Sequence, residues 1–447
     1  MAIRIVFGAD EARRTILRRA PMYRVEATPE TLAENARIWG EPLSIEAVVR
    51  RVIDDVSARG DAALADISRR LDPSWRSTIE VSRAEVDRAR ASVPRDLIAS
   101  LEFAAARVRA FHERHVPRSW IDIGPDGANG QIVTPIERVG LLAPGGRAAY
   151  PSTVIMLAVP ARVAGCDEII LCSPPGADGQ PSAVVLAASR IAGVDRVFAF
   201  GGAQAVAALA FGTDSVPKVD KIFGPGNAYV AEAKRQLFGV VGIDQIAGPT
   251  ETLIIADAFA DPDSVAADAL AQAEHDPMAS AIVIAIGRNV ATAIAQAIER
   301  GLIGFERAAI ARVSLERRGG VIAVDDLATA IDLANEYAPE HLALIVVDPW
   351  SVLGRIRNAG GVFLGDSSLE ALGDYVVGPS HVMPTGGTAR FSSPTTSADF
   401  VKVTSLFGVN EAGLRTLGPT AARLARAEGL GGHAAAVEIR LKERTRV

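Results

Sequence analysis

The 447-residue chain contains few residues of several kinds, and each shortage excludes a class of protein. Cys166 and Cys172 are its only cysteines, so a fold held by several disulfides is excluded and a reducing cytoplasm is the expected compartment. Uninterrupted apolar runs stay below the ~18 residues that a membrane span requires. Asp10 and Glu11 interrupt the N-terminus before an apolar segment develops, so we expect neither a secretory signal nor a membrane partner.

Blocks of basic residues are also missing. Lys and Arg total 47 against 53 Asp and Glu, and the net charge of -6 at pH 7 repels polyanions, so we expect no nucleic-acid partner. What remains is an ordinary globular composition, 49% hydrophobic and 22% charged. The chain is too long for one ordinary core, which predicts two or more structural units.

The hydrophobic pattern changes along the chain. From about residue 10 to 115, apolar residues recur at three- and four-residue spacing, which predicts helices, and Ser44 is placed to begin one of them. From Val139 onward, short apolar runs of strand length alternate with Ala-rich segments of helical length, and a second alternating stretch begins at Glu251. This alternation is typical of parallel, doubly wound α/β units.

We therefore predict an α/β fold with two doubly wound, Rossmann-like units and small helical additions at both ends. The predicted parts are an N-terminal helical arm over 1–34, a first α/β domain over 35–135 and 250–390, a second α/β domain over 136–249, and a C-terminal helical segment over 391–447.

Open α/β sheets bind ligands beyond the carboxyl ends of their strands, so polar residues directly after apolar runs are candidate site residues. Gly224, Gly226 and Asn227 lie between a predicted strand and helix, where free N–H groups can meet a pyrophosphate. Tyr229 stands where the third glycine of G-x-G-x-x-G would be, and the sequence contains no such fingerprint elsewhere. GGAQ at 201–204 is a second junction of this kind. The pattern fits nucleotide binding or tight turns that need glycine.

Histidine is scarce, with six residues in the chain. His112 and His115 fall in an Arg-rich helix and are interpreted as surface residues. The other four lie in polar clusters near glycine or proline: His275, His341, His381 and His433. Gln272 and His275 are three residues apart at a helix end and therefore share one face, as two ligands of one metal would.

Acidic residues accompany these histidines. Glu340 and His341 follow Pro339, which we expect to hold Ala338 in an extended conformation and to end the preceding helix. Asp374 lies between a predicted strand and the loop toward the next histidine. The clusters indicate a metal or acid–base site, although spacing alone leaves a structural role open for each histidine.

Eight segments closely resemble the histidinol dehydrogenase family. In chain order they are APGGRAAYPSTVIM, GGAQAVAALAFGT, VPKVDKIFGPGNAYV, IAGPTETLIIAD, AQAEHDP, EYAPEHLA, LGDYVVGPSHVMPTGGTAR and AEGLGGH. They run from about residue 135 to 433, with weaker similarity toward the N-terminus. The resemblance implies an enzyme that oxidises L-histidinol to L-histidine through L-histidinal with two NAD, the final step of histidine biosynthesis.

The resemblance also implies roles for individual residues. It assigns Glu340 and His341 as the acid–base pair. The implied zinc ligands are Gln272, His275, Asp374 and His433. The implied substrate contacts are Thr250, Gln272, His275, His341, Asp374, His381, Glu428 and His433. The implied NAD contacts are Gln204 and Asn227, with Leu142 at a third cofactor position where the family often has tyrosine.

The resemblance also implies a homodimer, in which the C-terminal segment bearing Glu428 and His433 completes the partner's site. Most of the active site would belong to the first predicted domain and the NAD contacts to the second. Two further departures from the family are visible. Thr250 stands where serine is common, and the connection from Asn227 to Thr250 is a few residues shorter than in many relatives.

The implied residues suggest a mechanism. His341 would take the alcohol proton as hydride leaves, and Glu340 would activate the water that hydrates the aldehyde. Neither step needs a thiol, so Cys166 and Cys172 are interpreted as core residues.

Two alternatives stay open: a paralogue that oxidises another small alcohol, such as a sulfonated diol, and a zinc-stabilised binding protein without turnover. Glu428 and His433 favour an imidazole-bearing amino alcohol, and the acidic and histidine residues of APEHL argue against a mere binding protein.

Overall fold

The computed structural model describes residues 2–19, 27–72, 74–75, 79–145 and 149–442. Residues 146–148, within the family-like segment APGGRAAYPSTVIM, lie outside this range. No helix in the described segments is both long and apolar enough to cross a membrane.

The described strands are β1 (Ile5–Phe7), β2 (Glu80–Val81), β3 (Trp120–Gly124), β4 (Gly127–Pro135), β5 (Arg138–Leu142), β6 (Glu168–Cys172), β7 (Arg196–Phe198), β8 (Lys221–Phe223), β9 (Gly242–Ile243), β10 (Glu251–Ala256), β11 (Ser280–Ile286), β12 (Gly320–Val324), β13 (His341–Ile345), β14 (Gly361–Leu364) and β15 (Val401–Val409). The described α-helices are α1 (Ala9–Arg14), α2 (Pro29–Trp39), α3 (Ile45–Arg59), α4 (Asp61–Leu71), α5 (Arg83–Ser92), α6 (Arg95–His112), α7 (Pro151–Ala164), α8 (Ala183–Ala192), α9 (Gly202–Phe211), α10 (Ala228–Leu237), α11 (Pro262–Ala273), α12 (Arg288–Gly301), α13 (Ala308–Arg318), α14 (Leu327–Tyr337), α15 (Pro349–Val352), α16 (Glu370–Tyr375), α17 (Glu411–Ala427) and α18 (Gly431–Leu441).

The first sheet has the strand order β2-β7-β6-β5-β8-β9. Strands β5 to β9 pair in parallel, and β2 adds an antiparallel edge. Along β6, Ile169 and Leu171 belong to one hydrophobic cluster, whereas Ile170 and Cys172 belong to another. Both faces of this sheet are therefore buried under helices, which is why its strands are apolar throughout.

The second sheet has the order β1-β12-β11-β10-β13-β14, with all pairs parallel. Along β10, Ile254 packs into one cluster, while Leu253 and Ile255 pack into the other. Two doubly wound α/β units are therefore present, and the predicted fold class is confirmed.

The helices of residues 45–112 do not pack as the predicted domain boundaries require. We predicted one domain from 35–135 and 250–390, but α3 packs on α9 and α10, whereas α5 and α6 pack on α8 and α7. Val48, Val52 and Val56 form a stripe on α3 that joins the core of the first sheet. The physical reason is that a parallel sheet needs helices on both faces, and these helices provide part of that cover.

Both ends of the chain contain strands as well as helices. The predicted helical arm 1–34 begins with β1, which pairs with β12 at the edge of the second sheet. The predicted helical segment 391–447 contains β15, which pairs antiparallel with β4 in a third sheet of order β15-β4-β3. Its sequence, VKVTSLFGV, has in part the two-residue alternation of a strand. Helices α17 and α18 follow it and pack on each other.

Two local predictions at the helical end have different outcomes. Ser44 caps α3 as predicted, because its side chain accepts from the N–H of Ala47. The prediction that His112 lies on the surface is wrong: the residue is fully buried, and burial lowers its pKa to about 4. It continues the buried stripe of α6 one turn beyond Val108, so helical spacing overrides its polar neighbours. His115 is exposed, as predicted.

A buried ion pair fixes the loop between β8 and α10. Lys234 Nζ lies 2.6 Å from Asp244 Oδ1, and the two side chains are 2% and 5% exposed. The same amine donates to the carbonyl of Gly224 at 2.5 Å, and Asp244 Oδ2 accepts from the N–H of Gly224 at 2.7 Å. Gly224 has a φ of +110°, and a Cβ there would lie 2.2 Å from the carbonyl oxygen of Leu142. This position therefore requires glycine, and the ion pair holds the loop across the end of β5.

We predict that Lys234→Met lowers the free energy of unfolding by about 3–5 kcal/mol, because Asp244 would remain buried without its counter-charge. Arg59→Gln is the matched control: it removes solvent-exposed pairs with Asp55 and Asp66 and should cost less than about 1 kcal/mol. Chemical denaturation measures both changes. A loss for Lys234→Met no larger than that of the control would contradict the prediction.

Candidate active site

A cavity of about 460 Å³ is lined by residues at the strand ends of both large sheets. On the first sheet it lies at carboxyl ends, since Leu142 ends β5 and Asn227 follows β8. On the second sheet it lies at amino ends, since Thr250 precedes β10 and His341 begins β13. The expectation that site residues follow the strands is therefore right for the first sheet and wrong for the second. There Glu340 and His341 come from the segment that leads from α14 into β13, and His275 comes from the segment between α11 and β11.

Glu340 is a buried carboxyl at the wall of this cavity, 6% exposed. Its Oε2 accepts from the hydroxyl of Thr250 at 2.6 Å and from the N–H of Glu251 at 2.9 Å. Burial raises the pKa of Glu340 to about 7, against the opposing effects of His341 and these two hydrogen bonds. A carboxyl with this pKa can both accept and release a proton near neutral pH.

His341 is the neighbouring buried group and lines the same cavity. Its Nδ1 lies 3.2 Å from the carbonyl oxygen of Glu251, so we assign the proton to Nδ1 as the donor. Its buried Nε2 has no hydrogen-bond partner among the described residues. The ring therefore presents a free lone pair, as a general base requires.

The turn before this pair differs from the prediction. Ala338 was expected to be extended because it precedes Pro339, but it has φ 51° and ψ 65°, which is left-handed. The reason is its place at the end of α14, where its N–H donates to the carbonyl of Ala334 and closes the helix. Helix termination therefore overrides the ordinary preference before proline.

Gln272 lies in the last turn of α11, and His275 follows the end of that helix by two residues. Gln272 Nε2 donates to the Thr250 hydroxyl at 2.9 Å, and its buried Oε1 has no partner within the described residues. His275 Nδ1 lies 2.9 Å from the carbonyl oxygen of Ala271, which leaves Nε2 as the available nitrogen. An amide oxygen and an imidazole nitrogen are thus both without their usual partners near the cavity.

Asp374 and His381 also line the cavity. His381 Nδ1 lies 2.8 Å from the carbonyl oxygen of Asp374, and its Nε2 lies 3.2 Å from the hydroxyl of Thr153. Burial lowers the pKa of His381, which favours the neutral ring. The Asp374 side chain adds an acidic group to this part of the cavity.

Glu428 and His433 do not line the cavity of their own chain. Glu428 ends α17 and His433 lies in the first turn of α18, and both residues are exposed. Within the described residues, no group of three or more His, Cys, Asp or Glu side chains could hold a metal ion. A single chain therefore brings together only part of the implied ligand set.

The implied NAD residues lie at the first sheet. Gln204 is in the first turn of α9, and its buried Oε1 has no partner among the described residues. Asn227 caps α10, because its Oδ1 accepts from the N–H groups of Tyr229 and Val230. Leu142 is 4% exposed and joins the hydrophobic core while also touching the cavity.

Glu370 is a further cavity residue that was not predicted from the sequence. This buried residue lines the cavity beside His341, whose Nδ1 is 3.7 Å from its Oε1, and it accepts a short hydrogen bond from the hydroxyl of Thr252. Burial, followed by the charge of Asp374, raises the pKa of Glu370 to about 8. The available signal was its position four residues before Asp374, which places both carboxyls on one face of a helix.

Both cysteines are buried, so their interpretation as core residues is confirmed. Cys172 touches the cavity wall, but burial raises its pKa far above neutrality, and burial raises that of Cys166 to about 11. Neither thiol is poised as a thiolate nucleophile.

Comparisons with known proteins agree with this geometry. The sequence pattern of the histidinol dehydrogenase family matches residues 40–441. The chain is 49% identical over 439 residues to the histidinol dehydrogenase of Deinococcus radiodurans, covering 98% of this chain and 100% of that relative. It is 51% identical over 403 residues to the histidinol dehydrogenase of Geobacter metallireducens, covering 89% and 92%.

A solved structure of a histidinol dehydrogenase is also similar to this chain. The crystal structure of histidinol dehydrogenase from Elizabethkingia anophelis superimposes with a TM-score of 0.90 at 34% identity, and 98% of each chain is covered. Sequence and fold therefore agree over nearly the whole length, and the chain belongs to the histidinol dehydrogenase family.

Proposed function

We propose that this chain oxidises L-histidinol to L-histidine through L-histidinal, the final step of histidine biosynthesis, with NAD accepting one hydride in each of two oxidations. The observation that carries the proposal is the pair of adjacent buried groups in one cavity. His341 presents a free nitrogen, and Glu340 has a pKa of about 7.

His341 serves the first oxidation as the base for the hydroxyl proton. Its Nδ1–H is engaged by the carbonyl of Glu251, so Nε2 is the atom that accepts the proton. Loss of that proton pushes electron density onto the alcohol carbon and favours departure of hydride.

Glu340 serves the second oxidation as the base for water. The aldehyde must gain a hydroxyl before a second hydride can leave, and Glu340 takes the proton of the attacking water. The Thr250 hydroxyl and the N–H of Glu251 both bind Oε2, so they fix the plane of the carboxyl while it acts.

The residues present fit a zinc ion. Gln272 Oε1 is buried without a partner in the described residues, His275 has Nε2 available, and Asp374 supplies a carboxylate. Nitrogen and oxygen ligands of this kind suit zinc. When bound, the ion would hold and orient the amino alcohol. We propose Gln272, His275 and Asp374 from one chain and His433 from its partner as ligands.

A second cavity, of about 320 Å³, supports the NAD assignment. It adjoins the active-site cavity through residues that line both: Pro174, Gly201, Gly202 and Asn227. Its wall includes Trp39, Trp75 and Tyr229, and an aromatic, largely apolar wall suits a planar base. We propose that Gln204 and Asn227 contact NAD where the cavities meet, with Leu142 giving an apolar contact nearby.

Exposed apolar residues support a homodimer. On the third sheet, Ile123 is 80% exposed and Phe407 is 84% exposed. Leu424 and Ile439, on the two C-terminal helices, are also exposed. A second copy that covers these residues would remove them from water and could accept His433 into its own cavity.

We also propose the reducing cytoplasm as the compartment. The two cysteines are free and buried, so neither takes part in a disulfide. The substrate is a small polar metabolite.

We predict that histidinol yields two NADH per molecule and that Glu340→Gln slows aldehyde oxidation more than alcohol oxidation. Loss of a general base costs ~10²–10⁴-fold in rate, because the amide cannot accept the proton of water. His341→Asn should also slow the first oxidation. NADH formation from the alcohol and from the aldehyde separates the two steps.

Glu336→Gln is the control for these variants, since Glu336 lies on the exposed face of the preceding helix and should retain activity. Equal losses in both half-reactions for Glu340→Gln would refute the division of roles. Faster turnover of another small alcohol than of histidinol would refute the proposed substrate.

We predict that a chelator abolishes activity and that added zinc restores it. His275→Asn should lower the bound metal measured by elemental analysis, whereas His115→Asn, at an exposed histidine, should leave it unchanged. Metal affinity should weaken below about pH 6, because a ligating imidazole must be deprotonated. Full activity in metal-free protein would rule out this role.

We predict that mixing inactive His341→Ala and His433→Ala after reversible dissociation restores activity. In the mixed dimer, one site receives His341 from one chain and His433 from the other, and is intact. Mixing His341→Ala with His275→Asn is the control, because both changes affect the part of the site contributed by the same chain, and no intact site results. Mixed dimers of the first pair without activity would end the shared-site proposal.

A further inference from the structure

The acid–base pair is reached through a strained turn. Ala338, two residues before Glu340, has a φ of 51° and is the only non-glycine residue with positive φ in the described segments. This conformation is unfavourable for a residue with a Cβ, and the following Pro339 favours an extended backbone instead. Such a turn persists where the surrounding structure holds it.

Arg19, in the segment after α1, holds this turn. Its Nη1 donates to the carbonyl of Tyr337, and its Nη2 lies 3.4 Å from the carbonyl oxygen of Ala338. The guanidinium carbon lies 3.5 Å from the centre of the Tyr337 ring. One planar cation therefore binds the main chain of the turn and stacks on the side chain that precedes it.

The same guanidinium forms a bidentate ion pair with Glu251. Arg19 Nε lies 2.7 Å from Oε1 and Nη2 lies 2.6 Å from Oε2, and the Glu251 side chain is 7% exposed. The main chain of Glu251 in turn contacts both catalytic candidates. Its N–H donates to Glu340, and its carbonyl accepts from His341.

We propose that Arg19 is a positioning residue: by tying the Tyr337–Ala338 turn to Glu251, it holds Glu340 and His341 in the orientation that catalysis needs. This inference rests on the proposed function, and it assigns a task to a residue that lies before the family match at residues 40–441. Lysine would replace the interaction only in part, because an ammonium lacks the planar fork that serves a carboxylate and two carbonyls together.

Arg13 provides a matched comparison within the same arm. It also forms a bidentate pair with a glutamate of α14, at 2.7 Å from each oxygen of Glu336. Both partners of this pair are exposed, at 43% and 48%. Both arginines thus contact α14, but of the two only Arg19 is linked, through Glu251, to the catalytic candidates in the cavity.

We expect Arg19→Gln to lower kcat by about 10- to 100-fold, because a small misplacement of reacting groups has effects of this size. KM for histidinol should stay within about three-fold, since substrate contacts remain. Arg19→Lys should lie between parent and Arg19→Gln. Arg13→Gln should match the parent in kcat. Rates are expressed per folded chain, with folding and melting temperature measured by circular dichroism.

Chemical rescue separates positioning from a general loss of structure. In Arg19→Ala, millimolar guanidinium chloride should raise kcat, because the free ion can occupy the position between the turn and Glu251. Tetramethylammonium chloride, which donates no hydrogen bonds, should not. If Arg19→Gln fails to fold, the Arg19→Lys variant decides.

Equal kcat values for Arg19→Lys, Arg19→Gln and Arg13→Gln would overturn the inference while the proposed function stands. An equal increase with both salts would also overturn it. If the parent protein itself forms no NADH from histidinol, the proposed function fails first.

Discussion

The buried carboxyl of Glu340 is the constraint on which the site depends. A carboxyl in this position loses hydration, and only local donors compensate for that loss. The hydroxyl of Thr250 donates to it and also accepts from Gln272, whose other amide atom remains free. Glu251 donates to the same carboxyl oxygen and engages His341. One hydrogen-bond network therefore connects the proposed acid–base pair with a proposed metal ligand, so a change at any member shifts the others.

The cavity lies at the carboxyl ends of strands in the first sheet and at the amino ends of strands in the second. Helices of the two units therefore meet it with opposite polarity. Helices α9 and α10 of the first unit begin at the cavity, so their N–H ends face it. Helices α11 and α14 of the second unit end there, so their carbonyl ends face it. The positive ends of helices suit a pyrophosphate, and the negative ends suit a cation. This polarity fits NAD on the side of the first sheet and a metal with an amino alcohol on the other.

The sequence predicted the α/β class because alternation of apolar runs is a local property. It also pointed to Gln272 and His275, although helical spacing applies only in part because α11 ends at Ala273, before His275. It could not predict that residues 45–112 cover the first sheet, because an apolar helix face does not specify its partner. His112 and Ala338 were misjudged where packing and helix termination overrode local preference. Glu370 was missed because its burial depends on the tertiary packing of α16 beside the cavity, which the sequence does not specify.

The electrostatics of a single chain indicate what the cavity is prepared to bind. Glu340, Glu370 and Asp374 all line it, and burial raises the pKa values of the two glutamates toward or above neutrality. Asp374 adds to the shift of Glu370 by charge repulsion. A cluster of three acidic side chains is complementary to cations, and both a divalent metal and the amine of histidinol are cationic. Their arrival would lower these pKa values again and leave the carboxylates ionised as ligands and base. Bound cations would thus leave the two glutamates deprotonated but weaker as bases, so their protonation state would depend on occupancy of the cavity.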